Sequence, residues 1–157
     1  MLERITVSKF YSQKGQVKVF MSKLPLWTDK GLFFSCTGCG KCCTGSPGYV
    51  WVTEEECKAI AEYLELSFKD FMMRYVRQVG DRYSLVERRK NYDCIFLDGK
   101  KCTIYPHRPK QCKTFPWWKE HLSSPKAWED LASYCEGVNH PEASLVSIKE
   151  IEDILYS

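Results

Sequence analysis

Between Cys36 and Cys43 the chain reads Cys36-Thr37-Gly38-Cys39-Gly40-Lys41-Cys42-Cys43, four thiols within eight residues. No other stretch restricts the fold so strongly. A single thiol passes as a small buried hydrophobe, but four on one tight turn crowd oxidisable sulfurs into a small volume. Gly38 and Gly40 interleave with them. Glycine lets a backbone reach positive φ and turn successive N–H groups toward a small object. A loop that wraps an ion or a cluster with its sulfurs is the reading with a physical reason, and it calls for partner thiols further along the chain.

Five more cysteines follow: Cys57, Cys94, Cys102, Cys112 and Cys135. Cys57 falls on the apolar stripe of an expected helix, with Ile60, Ala61 and Leu64, and reads as a core residue. Setting it aside leaves Cys36, Cys39, Cys42, Cys43, Cys94, Cys102, Cys112 and Cys135 as candidate metal ligands, a set that suits one or two cysteine-ligated centres. The neighbours Cys42 and Cys43 are expected to point in different directions and to serve two centres, or to leave one thiol spare. The spacing Cys36-x-x-Cys39-x-x-Cys42 is that of ferredoxin-type loops, which favours an iron–sulfur cluster of the [4Fe–4S] kind. Cys-x-x-Cys-Gly is equally the form of a zinc knuckle, and closed tetrathiolate zinc sites staple folds. Ligand softness does not separate the two metals. His107, His121 and His140 each stand alone near a proline or a charged residue and read as surface histidines. No nucleophile elbow, phosphate loop or HExxH pattern is present.

The compartment decides between metal and disulfides. Residues 1–9 lack the 7–15-residue apolar run of a secretory signal, and no apolar stretch is long enough to span a bilayer. A cytoplasmic location follows as the expectation, where reducing conditions favour metal over disulfides at Cys-x-x-Cys spacings. A net charge of +3 is too small to imply nucleic acid or an anionic membrane, so the expected partners are metal ions and, beyond them, an unidentified protein.

At 157 residues, 44% hydrophobic and 27% charged, the chain is expected to fold as one α+β domain of short strands and helices around the metal centre. A basic N-terminal arm would occupy 1–31, either amphipathic or a strand pair turning at Gln13-Lys14-Gly15. The cysteine-cluster core would occupy 32–118 and a helical closure 119–157. Leu32–Ser35 reads as extended and Tyr49–Val52 as a strand. Thr53 and Glu56 form a capping box for a helix over 54–64, and Ser67 with Asp70 caps another over about 68–77. Tyr83–Val86 is a strand. Residues 93–97 and 101–105 read as a hairpin turning at Asp98-Gly99, which would bring Cys94 beside Cys102. Helices are expected over 125–133 and along the tail from Ser144 to Tyr156. The 14% aromatic content places many rings near cysteines (Phe33, Phe34, Tyr92, Phe96, Tyr105, Phe115, Trp117, Trp118 and Tyr134), where they could exclude water.

The motif Cys36-x-x-Cys39-x-x-Cys42-Cys43 resembles the signature of the YkgJ-like CxxCxxCC cysteine-cluster proteins, described as a zinc- or iron-chelating domain. The resemblance runs through Thr53 and Glu56, Cys94 and Cys102, and Tyr105-x-x-Arg108-Pro109-x-x-Cys112-x-x-Phe115-Pro116. It covers about residues 32–118 and implies metal binding without naming a reaction. A similar cluster occurs in the flagellin lysine N-methylases, where it accompanies an iron–sulfur centre. This chain is much shorter than those enzymes and shows no recognisable S-adenosylmethionine site.

The leading expectation is therefore a cytoplasmic thiolate metalloprotein, with Arg108 and Lys41 offsetting the charge of the site. The competing readings are a cluster-dependent redox or group-transfer enzyme or subunit, a zinc-stabilised interaction module, a nucleic-acid-binding module using the Lys-rich residues 9–23, and a disulfide framework.

Overall fold

The computed structural model describes residues 6–11, 17–45 and 47–157. In chain order the elements are strands β1 (Thr6–Tyr11), β2 (Val17–Ser22), β3 (Leu32–Phe33) and β4 (Val50–Val52), helices α1 (Glu54–Tyr63) and α2 (Phe68–Tyr75), then strands β5 (Val76–Val79), β6 (Arg82–Leu85), β7 (Leu97–Asp98) and β8 (Lys101–Cys102). Helices α3 (Lys110–Lys113) and α4 (Pro125–Ala132), strand β9 (Leu145–Val146) and helix α5 (Ile148–Tyr156) complete the chain. This is a mixed helix-and-sheet architecture. The described residues gather into two compact units, one of residues up to Thr37 together with Pro116–Ser157, the other Gly38–Phe115.

The Gly38–Phe115 unit is built on an antiparallel sheet of order β4-β6-β5. Val50 pairs with Leu85, and Val76 with the other edge of the same residue. The helix α1 starts as its sequence dictates. Thr53 accepts from the Glu56 N–H (3.2 Å) and the Glu56 carboxylate accepts from the Thr53 N–H (2.8 Å). Ser67 caps α2 by accepting from the Asp70 N–H at 3.1 Å. Both caps satisfy N–H groups that the helix leaves open. The core joins Val52, Cys57, Ile60, Ala61, Phe71, Leu85, Phe96 and Ile104. Cys57 is wholly buried in it, as its helical position predicts. Cys94 and Cys102 pack against the edge of this cluster.

Two expectations change here. The helix expected over about 68–77 stops at Tyr75, because β-branched Val76 opens β5, which pairs with β6 across a tight turn at Gly80 (φ +61°). The hairpin β7–β8 is shorter than expected and pairs Leu97 with Cys102. Cys94 lies before it, in a turn closed by the Leu97 N–H donating to the Cys94 carbonyl (3.0 Å). Cys112 sits on the short helix α3, whose start follows the buried Pro109.

In the other unit, β1 pairs with β2 antiparallel from Thr6↔Ser22 to Tyr11↔Val17. The Gln13-Lys14-Gly15 turn lies outside the described residues. Strand β3 pairs with β9, Leu32 opposite Val146. Leu145, expected on the tail helix, is thus in a strand. The helix α5 begins after it with a second capping box, Ser147 with Glu150. Trp128 of α4 stacks on Trp117 at 5.3 Å, Phe34 meets Trp117 edge-on at 5.4 Å, and the Trp128 indole N–H donates to Asn139 Oδ1 (3.1 Å). Glu152 of α5 accepts from the Ser22 hydroxyl (2.9 Å) and the Lys23 N–H (2.6 Å). Among the described residues no helix is long and apolar enough to cross a membrane.

Candidate metal centre

The cysteine loop enters the Gly38–Phe115 unit through two glycines with positive φ, Gly38 at +69° and Gly40 at +74°. Gly40 opens a single 3-10 turn, Lys41–Cys43, closed by the Cys43 N–H donating to the Gly40 carbonyl (3.0 Å). A Cβ on Gly40 would stand 2.8 Å from the backbone oxygen of Lys100, in the turn between β7 and β8. Gly40→Ala therefore meets two obstacles, a left-handed backbone costing about 1–2 kcal/mol and a carbonyl that must move. We expect a lower melting temperature and weaker metal retention, read by thermal denaturation and metal analysis of the same preparation.

The turn brings the sulfurs of Cys42 and Cys43 to 4.0 Å. The expectation that these neighbours point apart is overturned, because the tight winding after Gly40 brings the two sulfurs together, and Cys43 has a further thiol partner. That partner is Cys94. Its N–H donates to the Cys43 carbonyl at 2.7 Å, and its thiol lies near enough to that of Cys43 for each to shift the other's ionisation. Cys94 is also bridged to Glu87, whose carboxylate accepts from the Gly48 N–H (2.8 Å) and pairs with Arg77 (3.5 Å). Cys42, Cys43 and Cys94 thus form one thiol cluster. Cys102 and Cys112 lie within electrostatic reach of Cys42 and Cys94.

Cys112 is positioned by two side chains whose importance sequence reasoning missed. One Glu56 oxygen caps α1 and the other accepts from the Lys110 N–H (2.6 Å) at the start of α3. Gln111 completes the β4 edge, accepting from the Trp51 N–H (2.8 Å) and donating to the Tyr49 carbonyl (3.0 Å). The double use of Glu56 carries no local signal beyond the capping box.

Electrostatics sort these thiols. The hydrogen bond from Cys43 holds Cys42 at about 6, against burial, with Arg108 assisting. The same neighbour, with the Phe96 backbone and Arg88, holds Cys94 at about 7. Cys43, between two thiolates, is pushed well above the usual thiol range by those hydrogen bonds. Burial raises Cys102, and lifts Cys112 to about 12. Arg108 was expected at the site. Its Nε donates to the Tyr105 carbonyl (3.0 Å), and its guanidinium lies 3.6 Å over the Tyr105 ring. Arg88 was not expected, although its position in a charged run before Cys94 was a usable signal. Tyr92 and Tyr105 are exposed and shield nothing, whereas Phe96 is buried beside the cluster.

The remaining candidates are placed differently. Cys39 is half-buried in the loop. Cys36 and Cys135 belong to the other unit. There the Ser35 N–H donates to the Gly137 carbonyl (3.1 Å) beside the Phe34↔Val138 bridge, just before Cys36 and just after Cys135 in the chain. Cys36 is exposed and Cys135 buried. The contact needs Gly137, since a Cβ there would lie 2.2 Å from the Ser35 oxygen. No disulfide links any of the nine cysteines. The histidines stay apart from the thiols: His107 stacks on Tyr63 at 4.6 Å, His121 on Trp118 at 5.3 Å, and His140 accepts from the Glu142 N–H (3.1 Å).

Among the described residues no three Cys, His, Asp or Glu side chains converge closely enough to hold an ion as they stand. The donor chemistry nevertheless fits a thiophilic metal. Two thiols are thiolates near neutral pH, and a third holds the proton that a cation would displace. The 4.0 Å separation is close to the tetrahedral edge of about 3.8 Å that Zn–S bonds of about 2.3 Å require.

The sequence matches the family described as "CxxCxxCC: Putative zinc- or iron-chelating domain" over residues 35–136, a span holding all eight candidate ligands. The chain belongs to the CxxCxxCC family. An uncharacterized protein of Methanocaldococcus jannaschii is 36% identical over 89 residues, covering 55% of this chain and 46% of that protein. The chain thus spans about half the length of this curated relative. No solved structure matches it.

Acid should weaken metal binding by this CxxCxxCC protein with a bend between about pH 7 and 6, where two ordinary thiols would give a steady slope throughout. Above about pH 7 Cys42 and Cys94 are thiolates, the form a metal takes. As pH falls through about 7 and then 6 each takes a proton, and each protonation adds about tenfold loss of affinity per pH unit. Competition titrations with a chromophoric chelator at several pH values check the slope. A slope unchanged between pH about 8 and 5 would count against these two ligands.

Proposed function

We propose that this is a cytoplasmic metal-binding protein whose centre is held by Cys42, Cys43 and Cys94, with Cys39, Cys102 and Cys112 supplying further thiolates. The reading rests on one observation, the meeting of the Cys42–Cys43 turn with Cys94 from a distant segment. Cys36 and Cys135 stand as further candidate ligands by their spacing.

We favour an iron–sulfur cluster as the bound group, because Cys36-x-x-Cys39-x-x-Cys42 is the loop spacing that wraps one. Arg108 and Arg88 would offset the negative charge of thiolates and sulfide. A second reading, a single zinc ion, is favoured by the 4.0 Å pair. A cluster binds each thiolate through a separate iron and spreads the sulfurs wider.

The test is an absorption spectrum with metal and acid-labile sulfide analysis on protein purified without oxygen. A brown protein with a broad band near about 400 nm and bound sulfide supports the cluster. A colourless protein with stoichiometric zinc supports the single-ion centre. Protein free of both metals after expression in supplemented medium overturns the proposal.

A further inference from the structure

We propose that Cys43 and Cys94 are a disulfide-forming pair, coupled by a hydroperoxide when no metal occupies their thiols. Three features select them. Their thiols lie near enough for each to shift the other's ionisation. Their backbones are joined directly by the Cys94 N–H and the Cys43 carbonyl at 2.7 Å, so the Cβ atoms need little movement to reach disulfide separation. Both residues are half-buried, open enough for a small oxidant to enter.

The competing partners are worse. Cys42 lies 4.0 Å from Cys43, but a bond between sequence neighbours closes a small ring through their own peptide, which must then leave its planar trans form. Cys102 and Cys112 act on the cluster only through charge. Cys57 is sealed in the core.

The chemistry balances with one hydroperoxide. One sulfur of the pair, as its thiolate, attacks one peroxide oxygen; the O–O bond breaks, a sulfenic acid forms, and hydroxide or alkoxide leaves and takes a proton from solvent. The other thiol then attacks the sulfenic sulfur. The S–S bond forms as S–OH breaks, and that thiol's proton departs with hydroxide as water. Each sulfur is oxidised by one electron equivalent, and the peroxide is reduced by two.

The pair itself does not depend on metal binding. Its competition with metal rests on the proposed centre, which would need the same two sulfurs. The experiment treats chelator-stripped full-length protein with hydrogen peroxide, blocks residual thiols, and maps peptides without reduction. A Cys43–Cys94 cross-link is expected, lost in Cys43→Ser and in Cys94→Ser and kept in Cys57→Ser. A dominant Cys42–Cys43 link, or recovery of Cys43 and Cys94 as separate thiols or sulfinic acids, overturns it. A parallel sample preloaded with zinc separates the two ideas. Slowing of the cross-link by about tenfold or more supports both. A cross-link formed equally fast with zinc leaves the pair standing and counts against the metal centre.

Discussion

Cys94→Ser is expected to abolish stoichiometric metal binding while leaving the fold in place. A serine hydroxyl stays protonated near neutral pH and is a poor ligand for a soft metal. The variant therefore removes one of the two low-pKa thiols and the hydrogen-bond partner of Cys43. What holds residue 94 in position is mainly backbone, the N–H to the Cys43 carbonyl and the bridge to Glu87, and serine keeps both. We expect affinity to fall by at least about 100-fold, the scale of losing one member of a ligand shell or more, with circular dichroism unchanged. Cys57→Ser supplies the opposite pattern. Its hydroxyl would enter a site with no exposure at all and cost about 1–3 kcal/mol, while metal content stays at the wild-type value. Metal analysis beside urea denaturation separates the two. Equal metal loss in both variants, or retention in Cys94→Ser, would remove Cys94 from the centre.

Phe71→Ala is expected to be the most destabilising simple truncation in the Gly38–Phe115 unit, by about 3–5 kcal/mol. Phe71 is fully buried, tilted against Tyr75 at 5.5 Å and parallel to Phe96 at 6.3 Å. Removing its ring leaves a cavity between α2 and the segment running from Cys94 into β7. Against a typical total stability of about 5–15 kcal/mol, that loss would leave little folded protein at elevated temperature. Urea titration should show a lower midpoint with an unchanged slope. Tyr92→Ala, at a ring 45% exposed, serves as the near-neutral comparison. A loss under about 1 kcal/mol for Phe71→Ala would mean that the ring is not a core contact.

The local features of this fold were legible and the non-local ones were not. Thr53 with Glu56 and Ser67 with Asp70 announce their helices because a cap and its partner are three residues apart. Cys57, Ile60 and Ala61 mark the buried face by helical period alone. The strand Val76–Val79 escaped because its apolar residues continue the period of the helix before it, and its partner Arg82–Leu85 decides the matter through hydrogen bonds. The site divides the same way. The positive-φ turn at Gly40 was legible from the glycines among the thiols. That Cys94 meets Cys43, ahead of its hairpin neighbour Cys102, depends on a 2.7 Å backbone contact between distant segments, which no periodicity encodes.

Glu56 fastens the N-terminus of α1 and the Lys110 N–H with the two oxygens of one carboxylate, and this makes the centre poorly portable. A peptide copying only the cysteine loop would carry Cys36 to Cys43 but neither Cys94 nor the clamp that presents Cys112. Transplanting the chemistry to another scaffold would require the helix, the sheet edge at Trp51 and the short α3 turn together. The smallest transferable part is therefore the packed unit, not the motif.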